Sequence, residues 1–185
     1  VICTDKTGTL TLNKMTVKKI YANGKVINVT GTGYDTKGQF LYKSREVPLN
    51  EIEVLLRIGA LNNDAELKGN EVIGDPTEGA LIVCAEKKGL SKEKLNAEYK
   101  RIDEIEFTSE RKMMATIHQY KKSKISYVKG APEVLLAHCN YALVNGKAKK
   151  LAPKDKKEIL KVNHEFASNA LRVLGFAFRD FKDKN

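Results

Sequence analysis

Seven consecutive residues near the start of the chain, Asp5-Lys6-Thr7-Gly8-Thr9-Leu10-Thr11, carry the parts needed for phosphoryl chemistry. The apolar run Val1-Ile2-Cys3 reads as a strand, so Asp5 falls at a strand's carboxyl end, where α/β sheets gather ligands. An aspartate placed there can attack a phosphoryl group and carry it covalently, with Mg²⁺ neutralising the oxygens. Gly8 lets backbone N–H groups close on a phosphate. Lys6 adds positive charge, and Thr7 and Thr9 add hydroxyls. The competing explanation is a capped turn with an incidental aspartate.

Four further segments place chemically capable residues at readable positions. In Gly74-Asp75-Pro76-Thr77-Glu78-Gly79, Asp75 can cap a helix that opens on Pro76, and Glu78 can complete a capping box or serve a ligand. In Glu106-Phe107-Thr108-Ser109-Glu110-Arg111-Lys112, Phe107 offers a flat ring for a base or, sharing a strand face with Ile105, belongs to the core; Lys112 is a ligand contact or a solvated charge. In Tyr127-Val128-Lys129-Gly130-Ala131-Pro132-Glu133, Lys129 has the strand parity of Ile125 and Tyr127, unusual for a surface lysine; a snorkelling strand-end lysine is the alternative. Gly130 allows close approach of a ligand. In Leu171-Arg172-Val173-Leu174, strand alternation puts Arg172 on the face of Leu174, Phe176 and Phe178. A charge on an apolar face must bind an anion or pair with an acid such as Glu78 or Glu133.

The elements that must position these groups follow from periodicity and turn chemistry. Met15 to Tyr21 and Val26 to Val29 flank Asn23-Gly24, a strong hairpin signal. Gly31 to Tyr34 and Lys37-Gly38 read as loop. Pro48-Leu49-Asn50 opens a helix with Ile52, Leu55, Leu56 and Gly59 on one stripe. A second helix runs from Asp75 to near Gly89, and Ser91 to Tyr99 forms a third. Arg101 to Phe107, Lys112 to Tyr120 and Lys124 to Lys129 are strands. Pro132 to His138 is a helix, Tyr141 to Val144 a strand, Pro153 to Ala170 a long helix, and Leu171 to Arg179 a closing strand. The expected fold class is α/β in the α+β sense, a twisted, mostly antiparallel sheet flanked by helices.

Bulk properties set limits on this reading. At 185 residues, 42% hydrophobic and 30% charged, with a mean hydropathy of −0.40, the chain can build one core of ordinary domain size and should be soluble. No run approaches the roughly 20 apolar residues of a membrane span. Cys3, Cys84 and Cys139 lack metal-ligand spacing and read as reduced thiols in a cytosolic setting. The net charge of +10 points to a phosphate-bearing partner, though much of it reads as solvated face. The start without methionine, inside an apolar run, reads as a cut from a longer protein.

The segment from Cys3 to Thr11 resembles the phosphorylation motif of P-type ATPases, and the resemblance continues through nearly the whole chain. It implies that Asp5 accepts the γ-phosphate of ATP, with Lys6 and Thr7 beside it, and that Asp5 and Thr7 belong to the Mg²⁺ site of a complete pump. It assigns the ATP site to Glu78 (adenine amino group), Phe107 (adenine stacking), Lys112 nearby, Lys129 and Gly130 in the pocket, and Arg172 on the phosphates. At Ser109 the chain departs from the calcium pumps of the animal reticulum, which have an arginine contacting phosphate there. Gly31-Thr32-Gly33-Tyr34 and Lys37-Gly38 are most similar to type II pumps of the calcium branch.

The implied division is a piece of phosphorylation domain over residues 1–13 and a nucleotide-binding domain over 14–185. The implied partners are ATP and the pump's own phosphorylation, actuator and membrane domains, with no nucleic acid and a monomeric chain. The implied location is the cytoplasmic side of an integral membrane protein. Two rivals stand beside this. A haloacid-dehalogenase-type phosphatase would expect a second aspartate where Thr7 stands, and a basic nucleic-acid module rests on charge alone.

Overall fold

The computed structural model describes residues 14–181. In chain order these form β1 (Lys19–Ala22), β2 (Lys25–Val29), β3 (Phe40–Tyr42), β4 (Arg45–Glu46), a 3₁₀ turn (Leu49–Glu51), α1 (Glu53–Leu61), β5 (Glu66–Lys68), β6 (Glu71–Ile73), α2 (Pro76–Glu86) and α3 (Lys92–Glu98). They continue with β7 (Lys100–Thr108), β8 (Met113–Tyr120), β9 (Ser123–Gly130), α4 (Pro132–His138), β10 (Tyr141–Val144), β11 (Lys147–Lys150), α5 (Pro153–Ser168) and β12 (Gly175–Phe181). The strands form two four-stranded sheets, ordered β1-β2-β3-β4 and β12-β9-β8-β7, and two hairpins, β5-β6 and β10-β11. Every strand pairing is antiparallel, so the fold is the expected α+β arrangement.

The β1–β2 hairpin turns where Asn-Gly requires. Asn23 and Gly24 have φ of 54° and 71°, and Ala22 pairs with Lys25 across them. Two successive positive φ values match the right-handed twist of the flanking strands. Strand alternation then decides which side of the second sheet is covered. Met114, Thr116 and His118 on β8 lie opposite Lys129, Tyr127 and Ile125 on β9, and all six are buried. Leu56 and Ile58 of α1 and Tyr127 join one apolar core that extends to Ile20, Ile27 and Phe40 of the first sheet. Burying a side chain of that size contributes about 1.5–3 kcal/mol.

Within this core His118 is fully enclosed. Its Nδ1 lies 2.9 Å from the Tyr99 carbonyl and its Nε2 2.9 Å from the Thr116 hydroxyl. The carbonyl can only accept, so Nδ1 carries the proton and Nε2 accepts from the hydroxyl of Thr116. Tyr99 stacks on Tyr120 with ring centroids 4.4 Å apart, and the Arg57 guanidinium lies 4.9 Å from the Tyr99 centroid.

One expectation is corrected and one alternative is decided. The strand expected from Leu171 begins at Gly175, because Ala170 takes a left-handed φ of 55° and Leu171 N–H donates to the Phe166 carbonyl at 3.1 Å. That closure of α5 leaves the chain irregular through Leu174 before it joins the sheet. Arg172 is therefore exposed and outside the strand, not on its apolar face. Second, β7 is an edge strand whose residues are exposed apart from half-buried Arg101. Ile105 and Phe107 are 53% and 59% exposed, so Phe107 is not a core residue.

Candidate functional site

One end of the β12-β9-β8-β7 sheet collects the residues that the sequence singled out. The β7–β8 turn carries exposed Ser109 and Lys112. Strand β9 ends there with Lys129 and Gly130, opposite Met114 and Met113. Strand β12 begins there, with Gly175 opposite Gly130, and Arg172 lies in the segment leading into it.

Phe107 is brought in by a bulge. Ile105 pairs with Ala115 and Thr108 with Met113, so Glu106 and Phe107 together stand opposite Met114. An extra residue of this kind re-aims side chains at a sheet edge. Met114 pairs in turn with Lys129. Phe107 and Lys129 are thus two strand spacings apart, about 10 Å.

Lys129 is 8% exposed. Its ammonium donates to the Asn62 carbonyl at 2.6 Å and to Glu78 Oε1. It is therefore a buried, paired lysine and not a snorkelling one. Glu78 Oε2 accepts from the backbone N–H groups of Asp64 and Ala65 at 2.9 and 3.1 Å. Those three donors leave room for one more, since an ionised carboxylate offers about four lone-pair sites. The capping box is only half made. Asp75 Oδ1 accepts from Thr77 N at 2.8 Å and Glu78 N at 3.2 Å, while the Glu78 side chain turns away to Lys129.

The first turn of α2 reaches a second cation. Arg172 Nη1 donates to Thr77 Oγ1 at 2.7 Å. The alternative role for Arg172, a salt bridge with Glu78 or Glu133, is not taken up; its charge lies by Asp75 instead. Burial pushes the Asp75 carboxyl up, but the N–H groups of Glu78 and Thr77 and the Arg172 charge outweigh it, and the net shift is down. Adjacent residues Thr77 and Glu78 thus connect to Arg172 and Lys129. The resulting arrangement is an exposed aromatic edge, a half-buried acid with spare acceptor capacity, and cations on either side. It suits a ligand with a flat base, an amino donor and an anionic tail.

A family model for the P-type ATPase cytoplasmic domain N matches residues 51–185. The chain belongs to the P-type ATPase cytoplasmic N domain family. It is 40% identical over 190 residues to a calcium-transporting ATPase of Bacillus subtilis, covering 98% of this chain and 21% of that protein. It is 38% identical over 185 residues to calcium-transporting ATPase 1 of Bacillus cereus, covering 100% and 19%. It is 41% identical over 189 residues to a cation-transporting ATPase of Synechocystis, covering 96% and 21%. The chain spans about a fifth of the length of these curated relatives. Membership of this family disfavours both rival readings, the phosphatase and the nucleic-acid module.

Within the N domain, the close approach at Gly130 is made by the chain itself. A Cβ there would lie 2.4 Å from the Lys112 carbonyl oxygen and 2.6 Å from Met113 Cβ. Lys112, at a φ of 53°, closes the β7–β8 turn: its N–H donates to the Thr108 carbonyl at 2.8 Å and its carbonyl accepts from Ala131 N–H at 2.9 Å. A cavity of 920 Å³ lined by Ile20, Leu55, Leu135, Phe166 and Phe176 shares Thr77 and Arg172 with the candidate site, but not Phe107, Lys112 or Lys129.

Asp5, Lys6 and Thr7, and the Mg²⁺ role given to Asp5 and Thr7, lie outside the described residues. Among the described residues no three His, Cys, Asp or Glu side chains gather to hold a metal ion, and no helix is long and apolar enough to cross a membrane. Burial pushes the Cys84 thiol up to about 12, which suits an inert core thiol.

Sequence reasoning missed the turn that holds the site together. Asn62 Nδ2 donates to the carbonyls of Met114 and Tyr127 at 3.1 and 2.8 Å, tying the end of α1 to the sheet. Asn63 Nδ2 donates to the carbonyls of Gly59 and Glu78, both at 2.9 Å. The signal was available: Asn62-Asn63-Asp64 follows an apolar helical run directly, and such polar residues at a buried helix end must bond backbone groups.

Proposed function

We propose that this chain is the ATP-binding domain of a cation pump, calcium-transporting in class, and that it presents ATP so that Asp5 attacks the γ-phosphate in the complete protein. In this reading the adenine stacks on Phe107, and its amino group donates to Glu78. Lys129 and Lys112 line the pocket, Gly130 and Ser109 border it, and Arg172 meets the phosphates. The observation that carries the reading is the Glu78–Lys129 pair, enclosed yet with acceptor capacity left, two strands from an exposed phenylalanine. The residues suit ATP: they supply a π-face, an acceptor and anion-binding cations, and no metal ligand is asked of them. Mg²⁺, when bound in the pump, would neutralise phosphate oxygens beside Asp5 and Thr7. Residues 1–13 are proposed to belong to the phosphorylation domain. The other partners are the pump's actuator and membrane domains, with this domain on the cytoplasmic side.

The relatives' names support the choice of ion, and the near-complete coverage of this chain by them supports the domain assignment. Titration of the chain with ATP, followed by amide NMR, is expected to shift Phe107, Lys129 and Arg172 without turnover. Silence at all three residues would reject the site, and Mg²⁺-dependent hydrolysis by this chain alone would reject the division of labour.

A further inference from the structure

We infer that Lys92 is a positioning residue for the nucleotide site, one that sets its preference for adenine without touching the base. Lys92 is the first residue of α3, where the helix dipole disfavours a cation. Its placement is explained by the turn it reaches. Its ammonium donates to the Asn63 and Ala65 carbonyls, both at 2.7 Å. The other polar atoms of that same turn hold the site: the Asp64 and Ala65 N–H groups fix Glu78 Oε2, and the Asn62 carbonyl fixes Lys129. Lys92 thus draws two carbonyls to one side of the turn and leaves the N–H groups aimed at Glu78 on the other. Burial lowers the Lys92 pKa, as expected of a cation withdrawn from water to serve backbone groups.

The consequence is chemical. Glu78 can favour adenine's exocyclic amino donor over the carbonyl that guanine presents there only if its oxygens are held, because a mobile carboxylate can turn instead to guanine's N1–H and amino donors. With Lys92 removed, the turn loses two charge-assisted bonds, and the Asp64 and Ala65 N–H groups that fix Glu78 Oε2 are held less firmly. This rests on the reading of Glu78 as the group that meets the base.

The test is calorimetric titration of ATP and GTP into the chain and its variants. Lys92→Met is expected to weaken ATP binding about tenfold, the effect of losing one hydrogen bond between the base amino group and the Glu78 carboxylate, while GTP changes little and the selectivity ratio falls. Lys92→Arg, which can still reach two carbonyls, should restore most of that ratio. An equal loss for both nucleotides, or an unchanged ratio, overturns the inference, since a purely structural lysine would act on both alike. If Lys92→Met does not fold, the unmodified chain decides: the Asp64 and Ala65 amides must shift with ATP and less with GTP, and amides indifferent to ATP overturn it. Glu78→Ala separates the two levels. If it keeps the selectivity of the parent chain, the reading of Glu78 has failed; if it abolishes selectivity while Lys92→Met does not, only the role of Lys92 has.

Discussion

Glu78 and Lys129, 51 residues apart, form a salt bridge with side chains only 15% and 10% exposed, one at the start of α2 and the other at the end of β9. Each also binds the Asn62–Ala65 turn, so the pair belongs to a network. Removing one member strands the other in a site with little water. Glu78→Gln or Lys129→Met should each cost about 2–4 kcal/mol of stability, below a fully buried pair because some solvent reaches it. The double variant should cost less than the sum by about 1–3 kcal/mol. Urea unfolding of all four proteins measures this, and strict additivity would show that the two do not act as a pair.

Phe107 predicts the opposite pattern. It lies on an edge strand and is 59% exposed, so truncation removes little packing. Phe107→Ala should change stability by no more than about 0.5 kcal/mol. It should weaken ATP by about 1–3 kcal/mol, the range for a base stacked on an aromatic ring. Phe107→Trp should retain binding. Fluorescence or calorimetric titration checks both, and an alanine variant with unchanged affinity would remove the base from this ring.

The contrast between these residues explains what the sequence made legible. Lys129 was readable because strand alternation tied it to Ile125 and Tyr127, and a period of two survives in tertiary context. The helix at Asp75-Pro76 was readable because the cap is local chemistry. Arg172 was placed wrongly because the left-handed closure at Ala170 carries no glycine to announce it. Phe107 stayed ambiguous because alternation cannot reveal a bulge or an edge. The short hairpins β3–β4 and β5–β6 escaped notice because strands of two or three residues are too short to show a period. The Lys92 clamp depends on contacts to backbone carbonyls, which side-chain patterns do not encode.

Asp75 links stability to the site. Its carboxylate accepts from the N–H groups of Thr77 and Glu78, the two residues that connect to Arg172 and Lys129. Asp75→Ala should cost about 1 kcal/mol for the lost cap. It should also weaken ATP binding, because the first turn of α2 frays where both connections start. Asp75→Ser, which keeps a capping oxygen, should recover most of both losses. Amide exchange of the α2 N–H groups reports the fraying directly, and unchanged protection there would contradict the link.

Gly130 separates packing from ligand access. A methyl there would meet Lys112 backbone at 2.4 Å, and backbone cannot swing aside as a long side chain can. Gly130→Ala should destabilise the chain by about 1–3 kcal/mol. It should also disturb the β7–β8 turn that carries Ser109 and Lys112. A fully stable Gly130→Ala chain, measured by urea midpoint, would mean that the turn moves freely away from β9.

His118 predicts how stability depends on acidity. Burial lowers its pKa, and the nearby Arg101 charge lowers it further, against an opposing contribution from the Tyr99 carbonyl. In the fold the ring is therefore neutral. The unfolded chain offers an ordinary imidazole titrating near 6.5. Below that pH the unfolded state binds a proton that the folded state refuses, so unfolding is favoured. The contribution is fully present above about pH 6.5 and is lost as pH falls toward the lower folded value, by at most about 1.4 kcal/mol per pH unit. Asp75 and Asp155, whose carboxyls are held below their ordinary range, lose their contributions only at more acid pH. Urea unfolding of the parent chain and of His118→Gln at pH 7 and pH 5 therefore tests His118 as the source. The parent chain should lose stability between these values. His118→Gln should start less stable at pH 7 and lose less on acidification, and an equal pH dependence in the two proteins would exclude His118 as its source.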